Sequence, residues 1–136
     1  MSFPDDYYEH SADDLDFDGE LYDPSLVIET AGGVFSPLTE SLTNFDLARC
    51  LGAAQWVLVA PDRLGVLHDV ASTLQAMKSL GRSPDWLVLS ASAPPDSSTG
   101  TNGAELQRLG VSVPLIELGV DQVDALAAVA ASVKLA

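Results

Sequence analysis

Four short apolar runs, separated by segments with helical patterns, constrain most strongly how this chain can fold. The runs are "SLVIET" (25–30), "QWVLVA" (55–60), "DWLVLS" (85–90) and "VSVPLIEL" (111–118). Strands that are apolar almost throughout are typical of parallel sheets that are covered on both faces. The alternation of strands and helices therefore predicts an α/β fold, with a parallel sheet of about four strands and helices on both faces.

Helix signals lie between these runs. Thr43 can cap a helix over 44–51, because Asp46 follows it at the spacing of a capping box. A helix of about four turns is predicted after "PDRLG" (61–65) and ends at Gly81. One face of this helix carries its apolar residues, Leu67, Val70, Leu74 and Met77.

The carboxyl-terminal part of the chain has two more helical segments. A short helix is predicted over 104–109, after a polar loop over 92–103. A last helix is predicted from Asp121 to about Lys134, with its acid in the first turn and its base in the last, as the helix dipole favours.

Acidic residues are concentrated at the amino end. The chain has 20 acidic residues against six Lys and Arg, a formal net charge of −14, and residues 1–23 hold nine of the acids and no Lys or Arg. This charge argues against binding nucleic acid through its phosphates. The composition predicts a solvated acidic tail over 1–23, followed by one α/β domain over 24–136. Aromatic residues and leucines among the acids leave a second interpretation open, docking on a protein partner with a basic surface.

Other features predict the compartment. The chain has one cysteine, Cys50, so no internal disulfide can form. No apolar run reaches membrane-spanning length, and the first residues lack the basic and apolar regions of a signal peptide. We therefore expect a cytoplasmic protein that does not bind membranes.

The carboxyl ends of the predicted strands define a candidate ligand site. In parallel sheets ligands bind beyond these ends, which places Glu29, Gly32, Gly33, Arg63 and Ser90 on one edge. An acid after a buried strand can hold magnesium in nucleotide-hydrolysing enzymes, and glycines let a loop backbone approach an anion. A water-exposed glutamate before an ordinary turn, and a surface ion pair for the arginine, remain open as alternatives.

The order and spacing of these features resemble the dethiobiotin synthetase family over Leu26 to about Ser90. The acid followed by "TAGG", the Pro-Leu pair at 37–38, "DLA" at 46–48 and a Leu-Gly turn before a long helix carry the resemblance. It implies a P-loop-type sheet, with Glu29 in the position of a magnesium ligand and Ser90 in the position that reads adenine. It also implies a homodimer whose interface lies near the "LGVLHD" helix.

The resemblance implies roles for the start of that helix as well. Gly65, Val66, Leu67 and His68 fall at substrate or interface positions.

Several positions depart from the family pattern. Thr30 replaces a glycine, Ser90 replaces the adenine-reading asparagine, and His68-Asp69 stands where the family has Asn-His. The match covers the family's carboxyl-terminal half, and the 136 residues contain no Gly-rich stretch ending in Lys-Ser or Lys-Thr.

These departures predict a dethiobiotin-synthetase-like half domain that is not catalytic by itself. Its function would be binding or assembly, as a pseudoenzyme that acts through self-association and its acidic tail, with no cofactor of its own. A sheet edge left open predicts a homo-oligomer. The alternative is one subunit of a split dethiobiotin synthetase, which closes the ureido ring of diaminopelargonic acid with CO2. That subunit would need ATP, Mg²⁺ and a separate P-loop chain.

Overall fold

The structure, a computed structural model, describes residues 27–120 and residue 122. The acidic segment 1–23 and, apart from Gln122, the predicted last helix from Asp121 to about Lys134 lie outside the described residues. None of the described helices is long and apolar enough to cross a membrane.

Helices and strands alternate along the described chain. In chain order they are α1 (Asn44–Cys50), β1 (Val57–Pro61), α2 (Val66–Ser79), β2 (Trp86–Ser90), α3 (Asn102–Arg108) and β3 (Leu115–Leu118). The strands form one parallel sheet in the order β1-β2-β3. The predicted parallel α/β class is confirmed.

The first predicted strand does not form in the described part of the chain. Residues 27–30 belong to no strand, and Val27 is 82% exposed. The described sheet therefore has three strands, where the sequence predicts about four. The apolar residues suit a strand, but a strand also needs a neighbouring backbone to complete its hydrogen bonds, and the described residues supply none to 27–30.

The first helix begins where its capping residue predicts, and the third begins two residues before its predicted start. Thr43 Oγ1 accepts a hydrogen bond from Asp46 N at 3.4 Å, and Asp46 Oδ2 accepts one from Thr43 N at 2.9 Å, which completes the predicted capping box of α1. The hydrogen bond from Thr43 N lowers the pKa of Asp46. The third helix, α3, begins at Asn102, inside the predicted polar loop.

The core lies between the sheet and one layer of helices. Because consecutive crossovers in the order β1-β2-β3 have the same hand, α2 and α3 lie on the same face, and they contact each other. The central buried cluster is made of Ala60, Val66, Val70, Leu87, Leu89 and Leu106. The predicted apolar face of α2 is confirmed, since Val70 and Met77 are buried and Leu67 and Leu74 are half-buried.

The two faces of β1 differ. Leu58 and Ala60 pack towards α2, whereas Val57 and Val59 point to the opposite face and are 50% and 62% exposed. β1 is thus the terminal strand of the described sheet and carries exposed apolar side chains.

Candidate functional site

The carboxyl ends of β1 and β2 bring the loop of Arg63 near Ser90, and both residues were predicted in the site. Pro61 ends β1 and Ser90 ends β2, and the two are register partners. Asp62 N donates a hydrogen bond to Ser90 O at 2.8 Å, so the loop that carries Arg63 lies beside Ser90. The side chain of Arg63 is exposed, and that of Ser90 is half-buried.

A buried carboxylate fixes this loop, and sequence reasoning did not find it. Asp62 is 4% exposed; its Oδ1 accepts from Asn102 Nδ2 and its Oδ2 from Gly100 N, both at 2.7 Å. Burying a charge is costly unless hydrogen bonds compensate it, and here both oxygens are satisfied. The loop after β1 is therefore tied to the first turn of α3.

Asp96 makes a second hydrogen bond between the loops that follow β1 and β2. Its Oδ2 accepts from Leu64 N at 2.7 Å, and its Oδ1 accepts from Ser98 N at 2.8 Å. The hydrogen bond from Leu64 N, followed by those from Ser98 and Thr99, holds the pKa of this carboxyl well below its usual range. The segment 96–100 of the predicted polar loop is therefore held against the loop of Arg63 by hydrogen bonds.

The glycine loop is held by one asparagine at the start of α1. Asn44 is 3% exposed, and its Nδ2 donates to Ala31 O at 2.8 Å and to Gly33 O at 2.9 Å. Gly32 has φ +79°, and a Cβ there would lie 2.7 Å from Ser36 Oγ, so the turn itself requires glycine. Asn44 Oδ1 is buried and has no hydrogen-bond donor among the described residues.

Glu29 precedes this loop and is exposed. Among residues 27–120 and 122, no three His, Cys, Asp or Glu side chains are placed to share a metal ion. Mg²⁺ is usually held by one or two carboxylates together with substrate phosphates. A single exposed carboxylate therefore does not fit Mg²⁺ without a bound polyphosphate, and the role of Glu29 as a metal ligand stays a prediction.

The four residues predicted at the start of the long helix are separated by the fold. Gly65 adopts φ +94° as the residue before α2, and His68 is exposed on its first turn. Val66 is 1% exposed and belongs to the core, which leaves its side chain no contact with a ligand or a partner. Leu67 is half-buried against the core cluster.

The charges near the carboxyl edge are mostly negative. Arg49, Lys78 and Arg108 lie in the last turns of their helices, and Arg82 pairs with Asp85 at 2.6 Å just after α2. Those helix ends face the amino edge of the sheet, because helices run antiparallel to the strands that they connect. Arg63 is thus the one cation at the carboxyl edge in the described part of the chain. Asp62 and Asp96, which hold its loop, and Asp69, in the first turn of α2, lie at the same edge.

Comparison with known proteins identifies the family. A family model described as an AAA domain matches residues 15–127. The chain belongs to this family, which includes dethiobiotin synthetase.

Individual relatives agree with this assignment. The chain is 42% identical over 94 residues to the ATP-dependent dethiobiotin synthetase BioD of Rhodopirellula baltica, a match that covers 61% of this chain and 36% of the relative. It is 38% identical over 92 residues to the protein of the same name from Anaeromyxobacter dehalogenans strain 2CP-1, covering 67% of this chain and 41% of the relative. The chain therefore spans about two fifths of the length of these relatives. The comparison with solved structures finds no match.

The first prediction concerns the asparagine that holds the glycine loop. Replacing Asn44 by Ala removes the side-chain donor to Ala31 O and one of two donors to Gly33 O, which keeps its hydrogen bond from Ser36 N, and should cost about 1–3 kcal/mol in the free energy of unfolding. Amide hydrogen exchange over 31–36 should accelerate more than exchange in β2. Gln75→Ala, at an exposed position of α2, is the control and should change the unfolding free energy by less than about 0.5 kcal/mol. Unchanged exchange over 31–36 in Asn44→Ala would show that the loop is held by other contacts.

The second prediction concerns the pH dependence of stability. The pKa of Asp96 is lowered in the folded chain. The hydrogen bonds to its carboxylate therefore contribute fully to the free energy of unfolding above the pKa of the unfolded chain, which is about 4. This contribution is lost as the pH falls from there towards the lower pKa of the folded chain. Denaturant unfolding between pH 6 and pH 2.5 should show this loss, and Asp96→Asn should have a shallower slope than the wild type. Glu40→Gln, which removes an exposed carboxylate, should keep the wild-type slope; equal slopes for all three proteins would contradict the assignment.

Proposed function

We propose that these residues form a dethiobiotin-synthetase-like module that binds and assembles and that does not catalyse phosphoryl transfer by itself. The charge at the carboxyl edge is the observation that carries this proposal. Phosphoryl transfer depends on positioning and on positive charge around the phosphates. Arg63 is exposed and is the one cation at that edge among the described residues, where Asp62, Asp69 and Asp96 also lie, so the edge repels a polyphosphate.

The individual site residues support the same conclusion. The carbonyl of Gly33 accepts from Asn44 Nδ2 and from Ser36 N, and Thr30 stands where the family has a glycine that would give the closest approach. Glu29 could hold Mg²⁺ if a bound polyphosphate supplied the other ligands. Nothing in the described residues provides a cradle for that polyphosphate, so we assign no ATP or Mg²⁺ to this chain alone.

Assembly is proposed to use two parts of the chain. The acidic segment 1–23 would bind a protein partner with a basic surface, because its nine carboxylates are interspersed with aromatic residues. Self-association would use apolar side chains that the described structure leaves exposed. Leu64, at the turn before α2, is 75% exposed and lies beside Gly65 and His68.

A second function, one subunit of a split dethiobiotin synthetase, is favoured by the rigidity of the same edge. Asn44 fixes the glycine loop, and Asp62 and Asp96 fix the loop of Arg63. Such preorganised backbone loses little conformational entropy when a second chain binds. In this alternative a P-loop chain supplies the missing cations and phosphate cradle, while Glu29, Gly32, Gly33, Arg63 and Ser90 complete the site.

The prediction for catalysis separates these two functions. Calorimetric titration of the purified chain with ATP and Mg²⁺ should show no binding, and incubation with diaminopelargonic acid and bicarbonate should give no dethiobiotin. Removing a single oxyanion donor commonly costs about 10²–10³-fold in rate, on the order of 3 kcal/mol, and these 136 residues contain no P-loop sequence. Micromolar ATP binding that Glu29→Gln abolishes would contradict the proposal. Binding and turnover that require an added P-loop chain would select the split enzyme.

The prediction for self-association is tested by light scattering. The wild-type chain should be larger than a monomer at high concentration, because its exposed leucine offers apolar surface. Leu64→Asp should shift the population towards the monomer. Leu109→Asp is the matched control, since Leu109 is 64% exposed at the opposite end of the helical layer. A wild-type chain that stays monomeric at high concentration would contradict self-association.

A further inference from the structure

The cations of the described residues are concentrated at the amino edge of the sheet, opposite to the acids of the carboxyl edge. Four of them lie in or just after the last turns of the helices, which face this edge: Arg49, Lys78, Arg82 and Arg108. The acidic segment 1–23 has nine carboxylates and no Lys or Arg. The amino edge is therefore a surface whose charge is complementary to that of the acidic segment.

A cavity of about 340 Å³ opens at the amino edge. It lies between the end of α1, the start of β1 and the turn after α2, and it is lined by Arg49, Arg82, Trp56 and Leu80 among others. Trp56 is half-buried, and Leu80 is 51% exposed. Ligand pockets commonly have volumes of about 300–1,000 Å³, so the cavity can take one or two side chains of a peptide.

One of the two arginines forms a fixed wall of the cavity. Arg82 pairs with Asp85 at 2.6 Å, and its guanidinium carbon lies 5.2 Å from the ring centre of Trp56. Asp85 Oδ2 also accepts a hydrogen bond from Trp56 N at 2.8 Å. One carboxylate thus holds both the guanidinium and the backbone of the tryptophan, and it offsets much of the charge of Arg82.

Arg49 carries the charge that can attract an anion into the cavity. Its side chain is exposed, and it takes part in neither of the salt bridges of the described residues. Its guanidinium carbon lies 5.9 Å from the ring centre of Phe45. Asp46, one turn earlier in α1, already accepts hydrogen bonds from Thr43 N and Thr43 Oγ1. An anion in the cavity would therefore meet Arg49 together with the apolar surface of Trp56.

We propose that this cavity binds the chain's own acidic segment 1–23, with a carboxylate against Arg49 and a neighbouring aromatic ring against Trp56. This inference rests on the proposed binding role of the segment and identifies the basic surface that it meets. The segment offers the required pair of groups twice, because "DYYE" (6–9) and "DFD" (16–18) set acids beside aromatic rings. Aromatic rings also attract guanidinium groups.

The length of the segment and its attachment to the chain favour an internal contact. An extended chain spans about 3.3 Å per residue, so 23 residues reach about 75 Å. A domain of about 95 residues has a radius of gyration of about 12 Å, so the amino edge is within reach. Attachment to the same chain gives the segment an effective concentration on the order of millimolar. A basic partner protein would have to displace the segment from the cavity.

The native cysteine provides a probe beside the cavity. Cys50 is exposed, follows Arg49 and is the one cysteine of the sequence. A nitroxide spin label on Cys50 of the isotopically labelled full chain should broaden amide NMR signals within 1–23. Raising NaCl from about 0.01 M to about 1 M shortens the Debye length from about 30 Å to about 3 Å and should remove at least about half of the broadening. No broadening within 1–23 at low salt would refute the proposal.

Two charge reversals locate the contact. Arg49→Glu should reduce the broadening at least about twofold, because it replaces an attraction by a repulsion. Arg108→Glu is the matched control, since it changes the net charge equally at the same edge but alters a guanidinium that already pairs with Glu105. The control should broaden like the wild type. Equal effects of the two variants would overturn the assignment to the cavity, and unchanged β2 amide signals would show that both variants are folded.

A mixed sample tests which copy supplies the segment. One copy carries the spin label and no isotope, and the other carries the isotope and Cys50→Ser. Broadening within 1–23 should be much weaker in this mixture than in the single labelled chain. Equal broadening would show that the segment comes from a second copy and that the proposal is wrong. The test contains no ATP and no partner protein, so its failure leaves the predictions for catalysis and for self-association through Leu64 unaffected.

Discussion

The burial of β2 is the constraint on which the rest of the described structure depends. Leu87 and Leu89 are fully buried under α2 and α3, and β2 pairs with a strand on each side. Burying a leucine side chain contributes roughly 1.5–3 kcal/mol, so the register of the sheet is strongly specified. That register sets Pro61 beside Ser90, and it thereby determines which loops meet at the carboxyl edge.

The carboxyl edge of the sheet combines a fixed backbone with a negative charge that disfavours binding of phosphates. Asp62 and Asp96 each accept backbone hydrogen bonds from a loop distant in sequence, and Asn44 holds the glycine turn from the helix that follows it. These hydrogen bonds fix the backbone of both loops. The acids that stabilise this backbone also repel phosphates, because the described residues place only Arg63 against them. This combination of fixed backbone and negative charge is the observation behind the proposal of a binding module.

Local signals predicted the parts of the fold that depend on local interactions. The capping box of Thr43 and Asp46 and the apolar face of α2 need only residues three or four positions apart, and the parallel class follows from the apolar strands. The strand over 25–30 was predicted from composition, yet no backbone in the described part of the chain pairs with 27–30, which composition cannot show. The Asp62–Asn102 hydrogen bond joins residues 40 positions apart, so it becomes visible only when the sheet register is known. The family resemblance implied a substrate or interface position for Val66, which is the first residue of α2 and is 1% exposed in the core.

The claim that β1 is an open edge can be tested most directly by residue-resolved amide hydrogen exchange on the chain at a concentration where it is monomeric. Amides of Leu87, Val88 and Leu89 should exchange only through global unfolding, because β2 is paired on both sides. Amides of β1 that point away from β2 should exchange faster, on the order of a hundredfold or more. Uniformly slow exchange throughout β1 in the monomer would contradict the account, since it would mean that β1 is already paired on both sides.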